Sequence, residues 1–279
     1  LQVAVLIESV ADAPQGPLPV RSFQSVSADG HRRILDGWGI AREYQDVARK
    51  VTVDDLATII YTSGTTGQPK GVMLTHGNLA SNVAGVLSVL DLTEDDTALS
   101  FLPLCHAFER TVAYLCLAGG VSLIFAESLD TVPRDLLAVR PTVMSGVPRV
   151  FEKLHARVLE KGHATTGVKR RIFDWAIELA NTRGALLSEG RPLPWTVKML
   201  SGFADAQVYS KIREGIGGRL RWAVSGSAPL NVKIARFFFG IGLPILEGYG
   251  LTETSPVLTV MRPGKVRFGT VGPPLPGVE

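Results

Sequence analysis

Between Tyr61 and Asn78 the chain reads YTSGTTGQPKGVMLTHGN, a run of small and hydroxyl residues around a single lysine. Thr62, Ser63, Thr65 and Thr66 offer hydroxyl donors, and Gly64, Gly67 and Gly71 let backbone N–H groups approach an anion with no Cβ in the way. Lys70 adds a compact positive charge. Together these residue types predict a phosphate cradle. It is not a Walker loop, because G-x-x-x-x-G-K-[ST] must open a helix, whereas Pro69 stands five positions after Gly64 and Gly71 follows Lys70. The apolar stretches 57–61 and 72–74 on either side predict a loop joining strand to strand.

A second constellation stands near the end of the chain. EGYGLTET (247–254) places Gly248 and Gly250 on either side of Tyr249, which predicts a sharp bend presenting a phenol ring suited to stacking on a purine. Thr252 offers a hydroxyl to a phosphate, and Glu253 is a hard oxygen ligand of the kind Mg2+ takes. Upstream, SGSAPL (225–230) predicts a tight turn in which Gly226, Ser227, Ala228 and Pro229 leave room for a flat ring. By residue type alone, Tyr249 also fits a core aromatic and Glu253 a surface charge. Both segments follow predicted parallel strands, where ligands collect in α/β sheets, and this favours the functional reading. Cys105 beside His106 invites comparison with a thiolate–imidazole pair. Neighbouring strand residues point to opposite faces, however, so a buried free thiol is expected at 105.

These loops need a scaffold, and the hydrophobic pattern supplies one. Apolar runs at 3–7, 56–61, 98–102, 121–125, 142–145, 221–224 and 244–246 predict strands. Helical spacing recurs at Leu79, Val83, Val86, Leu87 and Leu90, with Thr75 as cap, around 111–117, over 147–158, and over 168–186. A further helix is expected around 205–215 after a connection at 190–195, and another from the cap Asn231 to Phe239. Residues 13–39 read as mostly irregular connection, and Glu94–Asp96 as a solvated acidic turn. Strands alternating with helices predict an α/β fold with a largely parallel sheet flanked by helices on both sides.

Composition narrows the function classes. The 279 residues are 46% hydrophobic with a net charge of +3, enough apolar content for a sizeable core and too little basic excess to argue for nucleic acid. Basic runs at Arg32-Arg33 and Lys169-Arg170-Arg171 read as solvated faces. Two cysteines, Cys105 and Cys116, make no disulfide framework and fit a reducing, cytoplasmic setting. No window is apolar for the length a membrane helix needs, and the first residues lack the marks of a signal peptide. An opening on an apolar strand and a close on PPLPGVE lead us to expect a fragment truncated at both ends.

The 61–78 segment resembles the phosphate loop of the adenylate-forming superfamily, and EGYGLTET resembles its second signature. LPLCHAFER (102–110), GVPRVFEKL (146–154) and RFGTVGPPLPGVE (267–279) resemble the long-chain fatty-acid–CoA ligase branch. The likeness runs with gaps from about residue 55 to the last residue. It implies the N-terminal domain of an enzyme that joins a fatty acid to ATP as an acyl-adenylate and passes the acyl group to coenzyme A. Thr62 to Lys70 would hold the ATP phosphates, with Thr62 and Glu253 associated with Mg2+. Gly226 to Pro229 and Glu247 to Gly250 would form the adenine and AMP wall, Thr252 would contact phosphate, and His106 would border the acyl-carboxylate pocket. The resemblance also implies a mobile C-terminal domain beyond residue 279, without which activity is expected to be close to nil. A ligase for shorter or aromatic acids, a carrier-protein-loading domain and a non-catalytic ATP-binding module remain open alternatives. Acyl chain length, oligomeric state and peripheral membrane contact are not readable from the sequence.

Overall fold

The computed structural model describes residues 4–6, 20–35, 39–63 and 68–279. The chain divides into two units, Leu1–Asp55 and Leu56–Glu279. In the first, β1 (Ala4–Leu6) pairs in parallel with β2 (Val20–Ser22), and two helices follow, α1 (Phe23–Leu35) and α2 (Gly39–Lys50). The helix at Phe23–Leu35 corrects the expected irregular connection. Proline crowds only its approach, and Ser22 Oγ accepts the Ser25 N–H at 3.1 Å as a cap.

The second unit opens on the antiparallel hairpin β3 (Leu56–Ser63) and β4 (Pro69–Thr75), so the cradle segment does join strand to strand. A parallel strand was expected here. Among the described residues the two strands instead pair only with each other. Next comes α3 (His76–Leu87), capped by Thr75 and Asn78, which exchange side chain-to-backbone hydrogen bonds in a capping box. The chain then alternates through β5 (Thr97–Ser100), α4 (Ala107–Ala118), β6 (Ser122–Phe125), α5 (Val132–Val139) and β7 (Val143–Gly146). The helices α6 (Pro148–His163), α7 (Gly167–Ser188) and α8 (Trp195–Ala204) follow, and a π-helical turn at Asp205–Tyr209 leads into α9 (Ser210–Glu214). The last elements are β8 (Trp222–Ser225), α10 (Val232–Gly240), β9 (Ile245–Gly250) and β10 (Val257–Val260).

Six strands form one sheet in the order β10-β9-β8-β7-β5-β6, all parallel except β10. Successive residues explain why both faces are covered. Ala98, Val143, Trp222 and Leu246 pack towards Val83, Val86 and Cys116 on α3 and α4. Their neighbours Leu99, Met144, Ala223 and Ile245 pack towards Leu136, Phe151, Ala176 and Phe237 on α5, α6, α7 and α10. Strands apolar at every position, rather than at alternate ones, are what a sheet sandwiched between two helical layers requires.

Two further helices lay outside the sequence expectation. Pro133 in the first turn of α5 was the overlooked start signal. Helix α8 extends the expected 205–215 segment back to Trp195, but it leaves Trp195, Met199 and Phe203 exposed and turns only the smaller Val197, Ser201 and Ala204 inward, a face too weakly apolar to stand out in the sequence.

Candidate active site

Between the sheet and the layer of α3 and α4 lies a cavity of about 820 Å³. Its interior is apolar and buried, with Val86, Leu115, Cys116, Val143, Trp222 and Val260 among its walls. Its mouth is polar, and exposed or half-buried: Thr62, Lys70, His106, Ser227, Thr252 and Glu253 all line it. One opening thus collects residues from the hairpin, the entry to α4, the loop after β8 and the turn after β9.

Hydrogen bonds fix these four segments. Thr62 and Lys70 are direct cross-strand partners in the β3–β4 hairpin, so their side chains share a face. Arg110 clasps that hairpin to the approach of α4, its guanidinium donating to Thr58 Oγ1 at 2.5 Å and to the Leu104 carbonyl at 3.1 Å. Asn82 on α3 holds β10 by a two-way bond, donating to the Val257 carbonyl at 2.7 Å and accepting the Val257 N–H at 3.2 Å. The turn after β9 is closed by Leu251 N–H donating to Pro256 O at 3.1 Å and to Thr254 Oγ1 at 2.9 Å. It contains the 3-10 turn Thr252–Thr254 and a cis Ser255–Pro256 peptide.

Several expectations need correction. EGYG is not a bend: it continues β9 and pairs with β10, Tyr249 lying opposite Thr259. Gly250 is there for close approach rather than for a bend, since a Cβ on it would stand 1.7 Å from Pro256 O. Tyr249 and both flanking glycines still line the cavity, the tyrosine 48% exposed. Gly226 and Ser227 line it too, Gly226 lying under the Phe108 ring where a Cβ would come within 3.1 Å. Ala228, Pro229 and Glu247 are not among its lining residues. Glu247 is buried and accepts the Leu230 N–H at 3.1 Å, which anchors the 226–230 loop to β9. Burial pushes its carboxyl above the ordinary range against that bond. Gly64, Thr65, Thr66 and Gly67, with the side chain of Ser63, lie outside the described residues. Gly71 sits in β4 opposite Tyr61 rather than in the loop. Cys105 is exposed, because 103–106 forms a turn closed by His106 N–H to Pro103 O, where strand alternation does not apply.

Glu109 was part of a quoted motif but was given no role. It is 1% exposed and accepts hydrogen bonds from Ser100 Oγ at 2.5 Å and Ser145 Oγ at 3.0 Å, joining α4 to the C-terminal ends of β5 and β7. Burial raises its pKa, and the two hydroxyls only partly oppose this. The signal was present: Glu109 shares helical phase with Val112 and Cys116, which puts a carboxyl on a buried face.

Asp96 also departs from the expected solvated turn. It is 3% exposed, and burial would raise its pKa, but bonds from Thr142, Arg221 and the Thr93 N–H outweigh that and lower it.

A doubly covered parallel sheet with a polar-mouthed, apolar-floored cavity beside it defines an α/β protein with a candidate small-molecule site. The sequence matches the family described as AMP-binding enzyme over residues 4–279, and the chain belongs to that family. It is 40% identical over 232 residues to long chain acyl-CoA synthetase 6, peroxisomal, of Arabidopsis thaliana, covering 81% of this chain and 31% of that protein. The ATP-bound crystal structure of MatB from Rhodopseudomonas palustris matches with a TM-score of 0.54 at 30% identity, over 81% of this chain and 35% of that one. A malonyl-CoA ligase complex with methylmalonyl-CoA and AMP matches with a TM-score of 0.55 at 26% identity, over 81% and 39%. The chain therefore spans less than half the length of each of these relatives.

Proposed function

We propose that this chain is the main part of the N-terminal domain of a long-chain fatty-acid–CoA ligase, and that the cavity receives the acyl chain in its interior and ATP at its mouth. The observation that carries this reading is the continuity of the cavity: Lys70, Thr252 and Glu253 at one end open directly onto the apolar walls of Val86, Cys116 and Trp222 at the other. Its volume of about 820 Å³ falls within the range of small-molecule sites, and its interior presents the apolar surface a hydrocarbon chain requires.

In the proposed reaction a fatty carboxylate oxygen attacks the α-phosphorus of ATP, and pyrophosphate leaves. The thiol of coenzyme A then attacks the acyl carbonyl, and AMP leaves. Both reactants of the first step are anions, so phosphate charge must be neutralised before the carboxylate can approach. Lys70 and the backbone N–H groups of the 63–67 loop take that part. Thr252 donates its hydroxyl to phosphate, and His106 faces the incoming carboxylate. The adenine lies along Gly226, Ser227 and Tyr249, while Glu247 keeps that wall in place through Leu230. Ala228 and Pro229 shape the same loop.

Thr62 and Glu253 suit Mg2+. The Glu253 carboxylate lines the mouth with no ion-pair or hydrogen-bond partner among the described residues, and Mg2+ characteristically takes one or two protein oxygens and completes its shell with phosphate and water. When bound, the ion would withdraw charge from the phosphate oxygens. The remaining catalytic groups that the resemblance implies, an aspartate for the ribose, an arginine and a lysine on a mobile domain, belong in this reading to sequence beyond residue 279.

The test is fatty-acid-dependent exchange of pyrophosphate into ATP by the full-length protein. Exchange driven by long-chain acids and not by malonate or benzoate supports the reading. Exchange driven by a short or aromatic acid alone would replace the long-chain assignment, and binding of ATP with no exchange under any acid would replace the enzyme.

A further inference from the structure

On the opposite side of the sheet, α5, α6, α7 and α9 enclose a second groove, of about 500 Å³, which shares no lining residue with the first cavity. Its floor is apolar. Leu136, Phe173, Val208 and Ile216 are buried there, with Val158 and Ile172 half-buried above them. Arg157, Lys161, Lys169 and Lys211 also line it, all four exposed, and no aspartate or glutamate does.

Among the described residues none of these four side chains makes an ion pair or a hydrogen bond. Their neighbours do. Arg170, next to Lys169, is paired with Asp174 at 2.7 Å, and Arg213, two residues from Lys211, with Asp205 at 2.7 Å. Asp174 and Asp205 are thus engaged with other arginines, and Glu160 and Glu214, on the same helices as the cations, do not line the groove, so its charged lining is cationic. Arg157 and Lys161 are four apart on α6, an arrangement that costs helix stability unless something anionic lies between them. Lys169 on α7 and Lys211 on α9 add like charge to the same opening. An apolar floor beneath unpaired cations is complementary to an amphiphile with an anionic head, of which an acyl chain ending in a carboxylate is the simplest. Bilayers engage protruding apolar residues, whereas here the large apolar lining residues other than Leu137 are buried or half-buried and four of the exposed positions are charged. The enclosed volume also matches a single small-molecule ligand.

We propose that this groove is a second binding site, for one free long-chain fatty anion, with the chain along Phe173, Val208 and Ile216 and the carboxylate among Lys161, Lys169 and Lys211. The site goes beyond the adenylation reading and does not depend on it.

The experiment uses the full-length protein and palmitate carrying a terminal diazirine, with labelled peptides mapped by mass spectrometry after irradiation. Peptides of α6, α7 and α9 should be labelled, and the double variant Lys161→Glu/Lys211→Glu should lower that labelling by about tenfold while leaving labelling of the first cavity unchanged. The corresponding diazirine alcohol, which lacks the charge, should label the groove far less than the acid. No labelling of these helices, labelling indifferent to charge reversal, or equal labelling by the alcohol would overturn the proposal. So would a double variant that loses only sedimentation with anionic phosphatidylserine vesicles and still takes up palmitate at the groove, since the cations would then serve a bilayer. Failure of the adenylation reading would appear separately, as absent pyrophosphate exchange with groove labelling intact.

Discussion

At the N-terminal ends of β5, β7 and β8, Asp96 is buried with its charge answered: Arg221 donates at 2.7 Å, Thr142 at 2.5 Å and the Thr93 N–H at 3.0 Å. Arg221 also reaches Asp91 at 2.9 Å, and the Trp222 indole N–H donates to the same carboxylate at 3.0 Å. At the C-terminal ends of the same sheet, Glu109 and Glu247 are as deeply buried, yet each meets only neutral donors. The one charged network therefore lowers its acid's pKa, and the two neutral settings raise theirs. One edge of the sheet is electrostatically closed. The other keeps Lys70 and Glu253 at a mouth without ion-pair partners among the described residues, where charge on an incoming molecule can find them.

If the open edge is the working one, its groups should matter for chemistry and those of the closed edge for stability. The largest effect is expected at the mouth: Lys70→Ala, Thr252→Ala or Glu253→Ala in the full-length protein should lower pyrophosphate exchange by about 10²–10³-fold with the urea midpoint unchanged. Equal loss from Arg221→Ala would break the comparison. That variant should instead leave Asp96 buried without its cation and lose about 3 kcal/mol in urea unfolding, while a stable full-length enzyme retains exchange. Within the cavity, Ala98→Phe should cut exchange with long acids and spare short ones, because Ala98 lines the buried end. Loss for both, in a protein of normal urea midpoint, would remove the acyl chain from that end.

The two edges should also differ in their response to acid. Asp96 has a lowered folded pKa, so its stabilisation is present above its unfolded value of 3.8 and is lost as pH falls through the folded one. Glu109 has a raised folded pKa, so its contribution is fullest below 4.5 and fades as pH rises through the folded value. Glu109→Gln should accordingly be neutral or stabilising by up to about 1 kcal/mol at pH 7 and should flatten the loss of stability that urea titrations record as pH rises above 4.5. An unchanged slope would mean that Glu109 does not titrate there. The smallest effect concerns the thiols. Cys105 is exposed and should react with maleimide in the native protein, whereas Cys116, buried and pushed up to about 11, should react only on unfolding.

Much of this was legible in the sequence, and the parts that were not share a cause. Alternating apolar runs gave the sheet, and Thr75 and Asn231 announced their helices because a cap is a local event. The residues of the mouth were legible because unusual local composition marked each segment. The holding contacts of Arg110, Asn82 and Glu247, which keep those segments in register, were missed because their partners lie 52, 175 and 17 positions away. Gly248 and Gly250 looked like the means of a bend, when the true constraint is a neighbouring strand that no local pattern displays. Glu94–Asp96 looked solvated because Arg221 is 125 residues distant from Asp96.

The most direct test of the account is a crystal structure of the full-length protein with a non-hydrolysable palmitoyl-adenylate analogue. The account predicts the adenine against Tyr249 and Gly226, the phosphate mimic within reach of Thr252, and the alkyl chain running past Cys116 and Trp222 towards Val86. An alkyl chain lying outside that cavity, or an adenosine seated away from the mouth, would contradict it.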